Sequence, residues 1–305
     1  MAKKRVGYLG PEGSFSHEAV RTLDGVEPVA SPSLGDLLSE VASGGLDQAL
    51  VPLENALEGT VSATIDGLVF DHELVIVREI VLPIHLHLLA RPGVQIADVT
   101  SIRSYVHALA QVRRLLRRLG VEAEQTTSTS QAARDVAQSP EPWAAIGSRL
   151  AGELFGLEVL EEDVEDHPEN ATRFVVVGRE QVAAPTGHDR TSIVCFQDAD
   201  RPGSLYGILG RFAARDINLT KLESRPTKRG LGDYCFVIEF EGHVADDVVA
   251  DCLVDLQAHL ARVKFLGSYP VVGAGAVDRR AEVADARASA ASWMGEIRAR
   301  ILRDA

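Results

Sequence analysis

TSIVCFQDADRPGSLYGILGRFAARDINLTKLESRPTKRGLGDYCFVIEFEG, residues 191–242, decides the fold of the C-terminal part of the chain. TSIVCFQ (191–197) is rich in β-branched and aromatic residues and reads as a strand. Gly203 to Ala214 reads as a helix, and INLTKLESRP (217–226) and DYCFVIEFEG (233–242) as two further strands. A second helix spans about residues 245–260, and RVKFLGSYP (262–270) closes the unit. Strand, helix, strand, strand, helix, strand is the ferredoxin-like order, which predicts a compact unit over residues 190–270.

On its N-terminal side, EQVAAPTGHDR (180–190) carries Pro185 and Gly187 without periodicity and reads as a linker. Residues 1–182 alternate strands with helices. RVGYL (5–9), QALVPL (48–53), VEAEQT (121–126), WAAIG (143–147) and RFVVVG (173–178) are strand-like, and LVIVREIVLPIHLHLLA (74–90) is a long β-rich stretch broken at Pro83. SFSHEAVRTL (14–23), SLGDLLSEVAS (33–43), ALAQVRRLLRRL (108–119) and a segment from about Gln131 are helix-like. This alternation predicts an α/β architecture with mostly parallel strands and a ligand at the strand ends. On the C-terminal side, Val277, Ala281, Ala284, Ala288, Ala291, Met294, Ile297 and Ile301 recur at spacings of three and four. They predict one amphipathic helix over 276–303, whose Ala-rich stripe packs on the body or on a second subunit.

The length of 305 residues fits two domains at about 150 residues each. With 46% hydrophobic and 25% charged residues the chain is not mainly disordered. Lys plus Arg number 31 against 44 Asp plus Glu, a net charge of −13, which argues against a nucleic-acid partner. A small anion is still held where backbone N–H groups reverse the potential locally. No run of about 18 uncharged apolar residues predicts a membrane span. MAKKRVGYLG (1–10) runs straight into Gly-Pro-Glu-Gly without the apolar core of a leader. Cys195, Cys235 and Cys252, an odd and sparse set without a CxxC pair, fit a reducing, cytoplasmic setting.

Four segments can carry chemistry. YLGPEGSFSHEA (8–19) sets Gly13, Ser14 and Ser16 between a strand and a helix. Its first-turn N–H groups suit a carboxylate or phosphate, and equally an ordinary capped turn; the spacing is not a dinucleotide fingerprint. VPLENALEGTVSATID (51–66) puts Glu54 and Asn55 just past a strand end, with Gly59, Thr60 and Ser62 leading into the next helix. Asn55 offers both a donor and an acceptor, although a turn Asn with a cap Ser explains the segment as well. SIRSYVHALAQVRRLLRRL (101–119) holds Ser104, readable as an N-cap, and Gln111, readable as a solvent-facing helix residue. Its Arg113, Arg114, Arg117 and Arg118 either attract an anion or form a solvated face. HPENATRFVVVG (167–178) puts Thr172 at the mouth of a strand, where its hydroxyl can donate to a departing oxygen. His85 and His87 share a strand face without an apparent third ligand, so no metal site is expected. GxSxG, HExxH and P-loop motifs are absent.

In this order the segments resemble the prephenate dehydratase family over nearly the whole chain. The family's Gly-Pro-x-Gly-Ser-Phe-Ser turn is present as Gly10 to Ser16, and its Pro-Ile/Leu-Glu-Asn loop as Pro52 to Asn55 with Gly59 following. Its Thr-Arg-Phe signature is Thr172, Arg173 and Phe174. Its Ser-His-Pro-Gln-Ala-Leu-x-Gln motif is matched at Ser104, Ala108, Leu109 and Gln111, but Tyr105, Val106 and His107 replace His, Pro and Gln. The C-terminal unit resembles an ACT regulatory domain: Gly203-Ser204-Leu205-Tyr206 is a variant of Gly-Ala-Leu-Val, and Glu223-Ser224-Arg225-Pro226 is unchanged.

The resemblance implies two lobes of the type II periplasmic-binding-protein fold in a catalytic domain over 1–182. An ACT domain over 190–270 follows, with no chorismate mutase helices upstream. It implies a lyase that converts prephenate to phenylpyruvate with loss of carbon dioxide and water, without metal or organic cofactor. Thr172 would serve the leaving hydroxyl, and Glu54 would be the proton source if its pKa is raised. Asn55, Ser104 and Gln111 would orient the substrate. Gly13, Ser14, Ser16, Thr60, Arg173 and Phe174 would line the substrate site. Phenylalanine would be the allosteric effector, bound by Gly203, Ser204, Leu205, Asn218, Glu223, Ser224, Arg225 and Pro226 in a homodimer or homotetramer. An arogenate dehydratase and a non-catalytic amino-acid sensor are the alternatives.

Overall fold

The computed structural model describes residues 3–179, 181–197, 201–228, 230, 232–272, 289 and 292–299. The first lobe is built from β1 (Lys4–Leu9), α1 (Phe15–Arg21), β2 (Val26–Ser31), α2 (Leu34–Ser43), β3 (Gln48–Asn55), β4 (Gly59–Thr60), α3 (Ser62–Asp66) and β5 (Val75–Pro83). The chain crosses to a second lobe of β6 (His87–Ala90), β7 (Ser101–Tyr105), α4 (Val106–Ala110), α5 (Arg113–Leu119), β8 (Glu122–Thr126), α6 (Thr129–Gln138), β9 (Trp143–Gly147), α7 (Arg149–Phe155) and β10 (Glu158–Glu161). It returns to the first lobe as β11 (Ala171–Gly178). The third unit is β12 (Asp189–Phe196), α8 (Ser204–Ala213), β13 (Leu219–Pro226), β14 (Tyr234–Glu241), α9 (Asp247–His259) and β15 (Arg262–Pro270).

Each unit has its own sheet: β2-β1-β3-β11-β5 with β4 on β3, then β10-β6-β9-β7-β8, then β13-β14-β12-β15. Two lobes joined by two crossings are the binding-protein plan, and the last sheet has the ferredoxin-like order. The expectation of mostly parallel strands is corrected. β1 runs parallel to β2 and β3, and β7 to β8 and β9, but β11 is antiparallel to both β3 and β5, and β6 to both β9 and β10. The crossings impose this. Ala171 pairs with Pro83, so the strand that leaves the lobe and the strand that re-enters it lie side by side in opposite senses.

The single helix expected over 108–119 is also corrected to two. The Gln111 carbonyl accepts the Asp166 N–H (2.6 Å). The Asp166 carboxylate then accepts the N–H groups of Arg113 (2.8 Å) and Arg114 (3.2 Å), so the return crossing interrupts the pattern and restarts α5. Of the amphipathic helix expected over 276–303, residues 289 and 292–299 are described, helical and exposed; the rest lies outside the described residues.

The third sheet has two covered faces. One packs α8 and α9 over Ile193, Cys195, Ile238 and Phe240. The other contributes Val194, Val237, Leu266 and Tyr269 to the apolar cluster that holds Val175, Val177, Leu53 and Ile65 of the first lobe. The approach is closest at Gly267, where β15 lies on β5: at φ +139 a Cβ would stand 2.3 Å from the Ile76 carbonyl oxygen. Only glycine fits there.

Candidate active site

Strand register creates the centre of the site. Asn55 ends β3 opposite Thr172 near the start of β11, and period-two alternation puts Asn170 on the Thr172 face. The Asn55 amide nitrogen donates to Thr172 Oγ1 (2.9 Å) and to Asn170 Oδ1 (3.0 Å). Its Oδ1 accepts the N–H groups of Leu57 (2.9 Å) and Glu58 (3.0 Å). All four hydrogen-bonding positions of the amide are therefore used within the protein. Asn55 is expected to orient the substrate; in this structure its amide is engaged within the protein, with one N–H directed at Thr172. Because Thr172 Oγ1 is already an acceptor, its O–H is free to point elsewhere.

Asn170, 2% exposed, extends the network across the lobes by donating to Gln111 Oε1 (2.9 Å). Sequence reasoning missed Asn170, although its position two residues before Thr172 signals a shared face. Gln111 turns its Nε2 toward Glu58 (3.5 Å), and Glu58 pairs with His107 Nδ1 (3.0 Å). The Tyr105-Val106-His107 departure thus gives the second lobe an imidazole that reaches the first. Leu57, Glu58, Gln111, Arg113, Arg114 and Arg117 line a cavity of about 550 Å³, with Asp166 and His167 at its wall. Three of the four arginines face this space, while Arg118 pairs with Glu161 instead.

Several expected site residues lie elsewhere, mostly because neighbours on a strand point to opposite faces. Glu54 pairs with Arg173 (3.0 Å) and with Lys221 of β13 (3.2 Å). Burial pushes its carboxyl up, but Lys221 and Arg173 outweigh this and hold it below the usual range. The condition on which Glu54 would be the proton source, a raised pKa, is therefore not met. Arg173, on the face opposite Thr172, bonds Glu239 of β14 (2.8 Å), within a network that also joins Glu79 and Arg190. Burial works against its charge, but Glu239 and its neighbours raise its pKa, so it stays a cation. Phe174 is 2% exposed in the core with Val6, Tyr8 and Leu50. Thr60 donates to Glu223 (2.6 Å) and accepts from Lys221 (2.8 Å). Ser104, fully buried, caps no helix; it donates to the Ile146 carbonyl (2.7 Å) and ties β7 to β9.

The glycine turn is a seam between lobes. Gly13 N–H donates to His17 Nδ1 (3.1 Å), Gly10 N–H to Ser31 O (2.9 Å) and Ser14 N–H to Pro11 O (3.2 Å). The carbonyl of Gly13 accepts from Ser148 at the start of α7 (2.9 Å), and that of Glu12 from Ser130 of α6. Gly13, at φ +82, has Ser130 Oγ 2.9 Å from the Cβ position. Ser14 caps α1, and Ser16 is buried in its first turn. These three N–H groups are spent within the protein.

In the third unit, Gly203 caps α8 at φ +86, and Ser204 Oγ accepts the Arg201 N–H (3.3 Å); Leu205 follows on the same helix. Asn218 bonds Glu241 (3.0 Å). Ser224 and Pro226 are exposed, but Glu223 and Arg225 face the first lobe. Arg225 bonds Ser62 (3.1 Å) and Asp66, and Glu223 bonds Thr60, so neither is free for an effector within this chain.

The prephenate dehydratase profile matches residues 6–182, and the ACT domain profile residues 191–257. The chain belongs to the prephenate dehydratase family. A family member from Mycolicibacterium vanbaalenii is 41% identical over 291 residues, covering 88% of this chain and 93% of that protein. The structure of prephenate dehydratase in complex with L-Phe from Arthrobacter aurescens is 36% identical, with a TM-score of 0.87 over 96% of this chain and 99% of that one. A quorum-quenching acylase is 30% identical with a TM-score of 0.81, covering 88% and 98%. The fold alone thus carries more than one chemistry, and the family rests on sequence as well as on shape. Prephenate dehydratase is a carbon–oxygen lyase with an ACT domain attached. No helix among the described residues is long and apolar enough to cross a membrane.

Proposed function

We propose that the Asn55–Thr172–Asn170–Gln111 cluster is the catalytic centre. Prephenate, a dianion with a ring hydroxyl, takes up one proton and yields phenylpyruvate, carbon dioxide and water, with aromatisation as the driving force. The observation that carries this reading is the saturated Asn55 amide: by donating to Thr172 Oγ1 it commits the Thr172 proton to another acceptor, the leaving hydroxyl. Assistance of this kind contributes about 10²–10⁴-fold. Gln111, steered by Asn170, presents its Nε2 to the substrate, and Arg113, Arg114 and Arg117 supply the positive charge that a dianion needs on a protein of net charge −13.

Residues 1–182 are the catalytic domain and 190–270 the regulatory domain. Phenylalanine is the effector, a reading supported by the Arthrobacter structure, which is in complex with L-Phe. It binds where the exposed Ser224 side of β13 and the Gly203–Leu205 end of α8 meet a second subunit of a homodimer or homotetramer. Three buried, free cysteines suit the cytoplasm. The test is phenylpyruvate formation from prephenate against arogenate. Thr172→Val should abolish most of kcat with KM nearly unchanged, and Thr172→Ser should keep much of it. Equal and mild effects of both would remove Thr172 from the chemistry, and no turnover of either substrate by the parent would leave a sensor.

A further inference from the structure

We infer that His85, Asp163 and Glu165 form a binding site for a zinc-class divalent cation, on the hinge between the lobes. The sequence shows His85 and His87 without a third ligand; the fold supplies it. His85 lies in the outgoing crossing, and Asp163 and Glu165 lie in the return crossing. His85 Nδ1 is 3.0 Å from Glu165 Oε1 and 3.5 Å from Asp163 Oδ1, and one donor atom from each residue lies within 4.8 Å of the others. Ligands at about 2.1 Å from a tetrahedral ion stand about 3.4 Å apart, so the arrangement closes on an ion with small side-chain movements.

A second observation points to a cation. The Glu165 side chain is 1% exposed, and its Oε2 accepts the Leu86 N–H (2.9 Å), which fixes Oε1 toward His85. Among the described residues Glu165 forms no ion pair with a Lys or Arg, its partner being His85, charged only when protonated; Asp163 pairs with His85 and His87 and feels the charge of Arg149 from beyond ion-pair distance. Glu18 of α1 brings a further carboxylate near His85. A buried carboxylate without a permanent countercharge is unfavourable unless it is paired or holds a metal. His87 is support rather than a ligand, since its Nδ1 accepts the Asp163 N–H (3.2 Å) and holds that backbone in place. Three protein donors leave a position for water. A bound ion would link the two crossings that join the lobes and stiffen their relative motion, a property separate from the catalytic reading.

The experiment uses the full chain, stripped with a chelator and titrated with zinc chloride by calorimetry and thermal melting. One equivalent should bind with a Kd of about 10 µM or tighter. The melting temperature should rise with zinc concentration, as ligand linkage requires. Cobalt chloride should give a visible absorption band that zinc displaces. Asp163→Asn, at an exposed side chain, and His85→Ala should each weaken zinc binding at least about 10-fold. Glu165→Gln, which keeps the acceptor for Leu86 N–H, should do the same while the apo protein stays folded. The proposal fails if the parent binds no zinc tighter than about 100 µM, or if binding is unchanged in Asp163→Asn or His85→Ala.

Discussion

Asn55→Asp is the sharpest test of the catalytic centre, because it exchanges one NH₂ for one oxygen at nearly constant volume. The parent amide donates to Thr172 Oγ1 at 2.9 Å, so the threonine proton is free for the substrate. A carboxylate at the same place accepts instead, and captures that proton in a charge-assisted hydrogen bond of about 1.5–3 kcal/mol. At about 1.4 kcal/mol per decade, kcat should fall about 10- to 150-fold from this redirection alone. The new negative charge beside a dianionic substrate should add a rise in KM. Asn55→Ala removes the donor without trapping the hydroxyl, so it should be the milder of the two in kcat. Lowering the pH protonates the new carboxyl, returns a donor, and should narrow the gap. The assay is steady-state phenylpyruvate formation, with melting temperatures to verify folding. A folded Asn55→Asp enzyme with parental kcat, or one faster than Asn55→Ala, would refute the reasoning.

Three other outcomes are expected. Arg113→Gln combined with Arg117→Gln should raise KM several-fold, leave kcat nearly unchanged and flatten the dependence of kcat/KM on ionic strength, measured across a salt series. Glu54→Gln should leave kcat intact and lower stability by no more than about 1 kcal/mol, since the carboxyl is partly exposed. Its pKa is lowered in the fold, so the stability it contributes is present above the unfolded value and lost as pH falls through the folded one. Melting curves of parent and variant should therefore differ at neutral pH and converge in acid. Ser224→Ala and Gly203→Val should weaken phenylalanine inhibition while sparing uninhibited turnover; calorimetry that detects no phenylalanine binding to the parent would remove the effector role.

Sequence made the elements and half of the site legible, and periodicity explains both the successes and the misses. Asn55, Thr172 and Gln111 stand at strand and helix ends, where local pattern and motif agree. Glu54 and Arg173 sit one residue away from such positions, on a face whose cover comes from Lys221 and Glu239, and Thr60 at the end of β4 is covered by Lys221 and Glu223. Nothing local reveals that cover. The helix break at Gln111 is hidden for the same reason: its cause, Asp166, lies on the return crossing. Asn170 was readable in principle, as the residue that shares a strand face with Thr172.

The apolar cluster shared between the third sheet and the first lobe limits how this protein can be freed from its effector. Removing the third unit at the linker would strip Val194, Val237, Leu266 and Tyr269 from the cluster that holds Val175, Val177 and Ile65, and leave Arg173 without Glu239. A truncated protein would be sticky and unstable before it was unregulated. Exchanging the regulatory unit for another would meet the same obstacle, since a foreign β15 lacking glycine at position 267 would collide with Ile76. Insensitive variants should instead come from the outer surface of that unit, at Ser224 or the α8 terminus, where a side chain can change without disturbing the seam beneath.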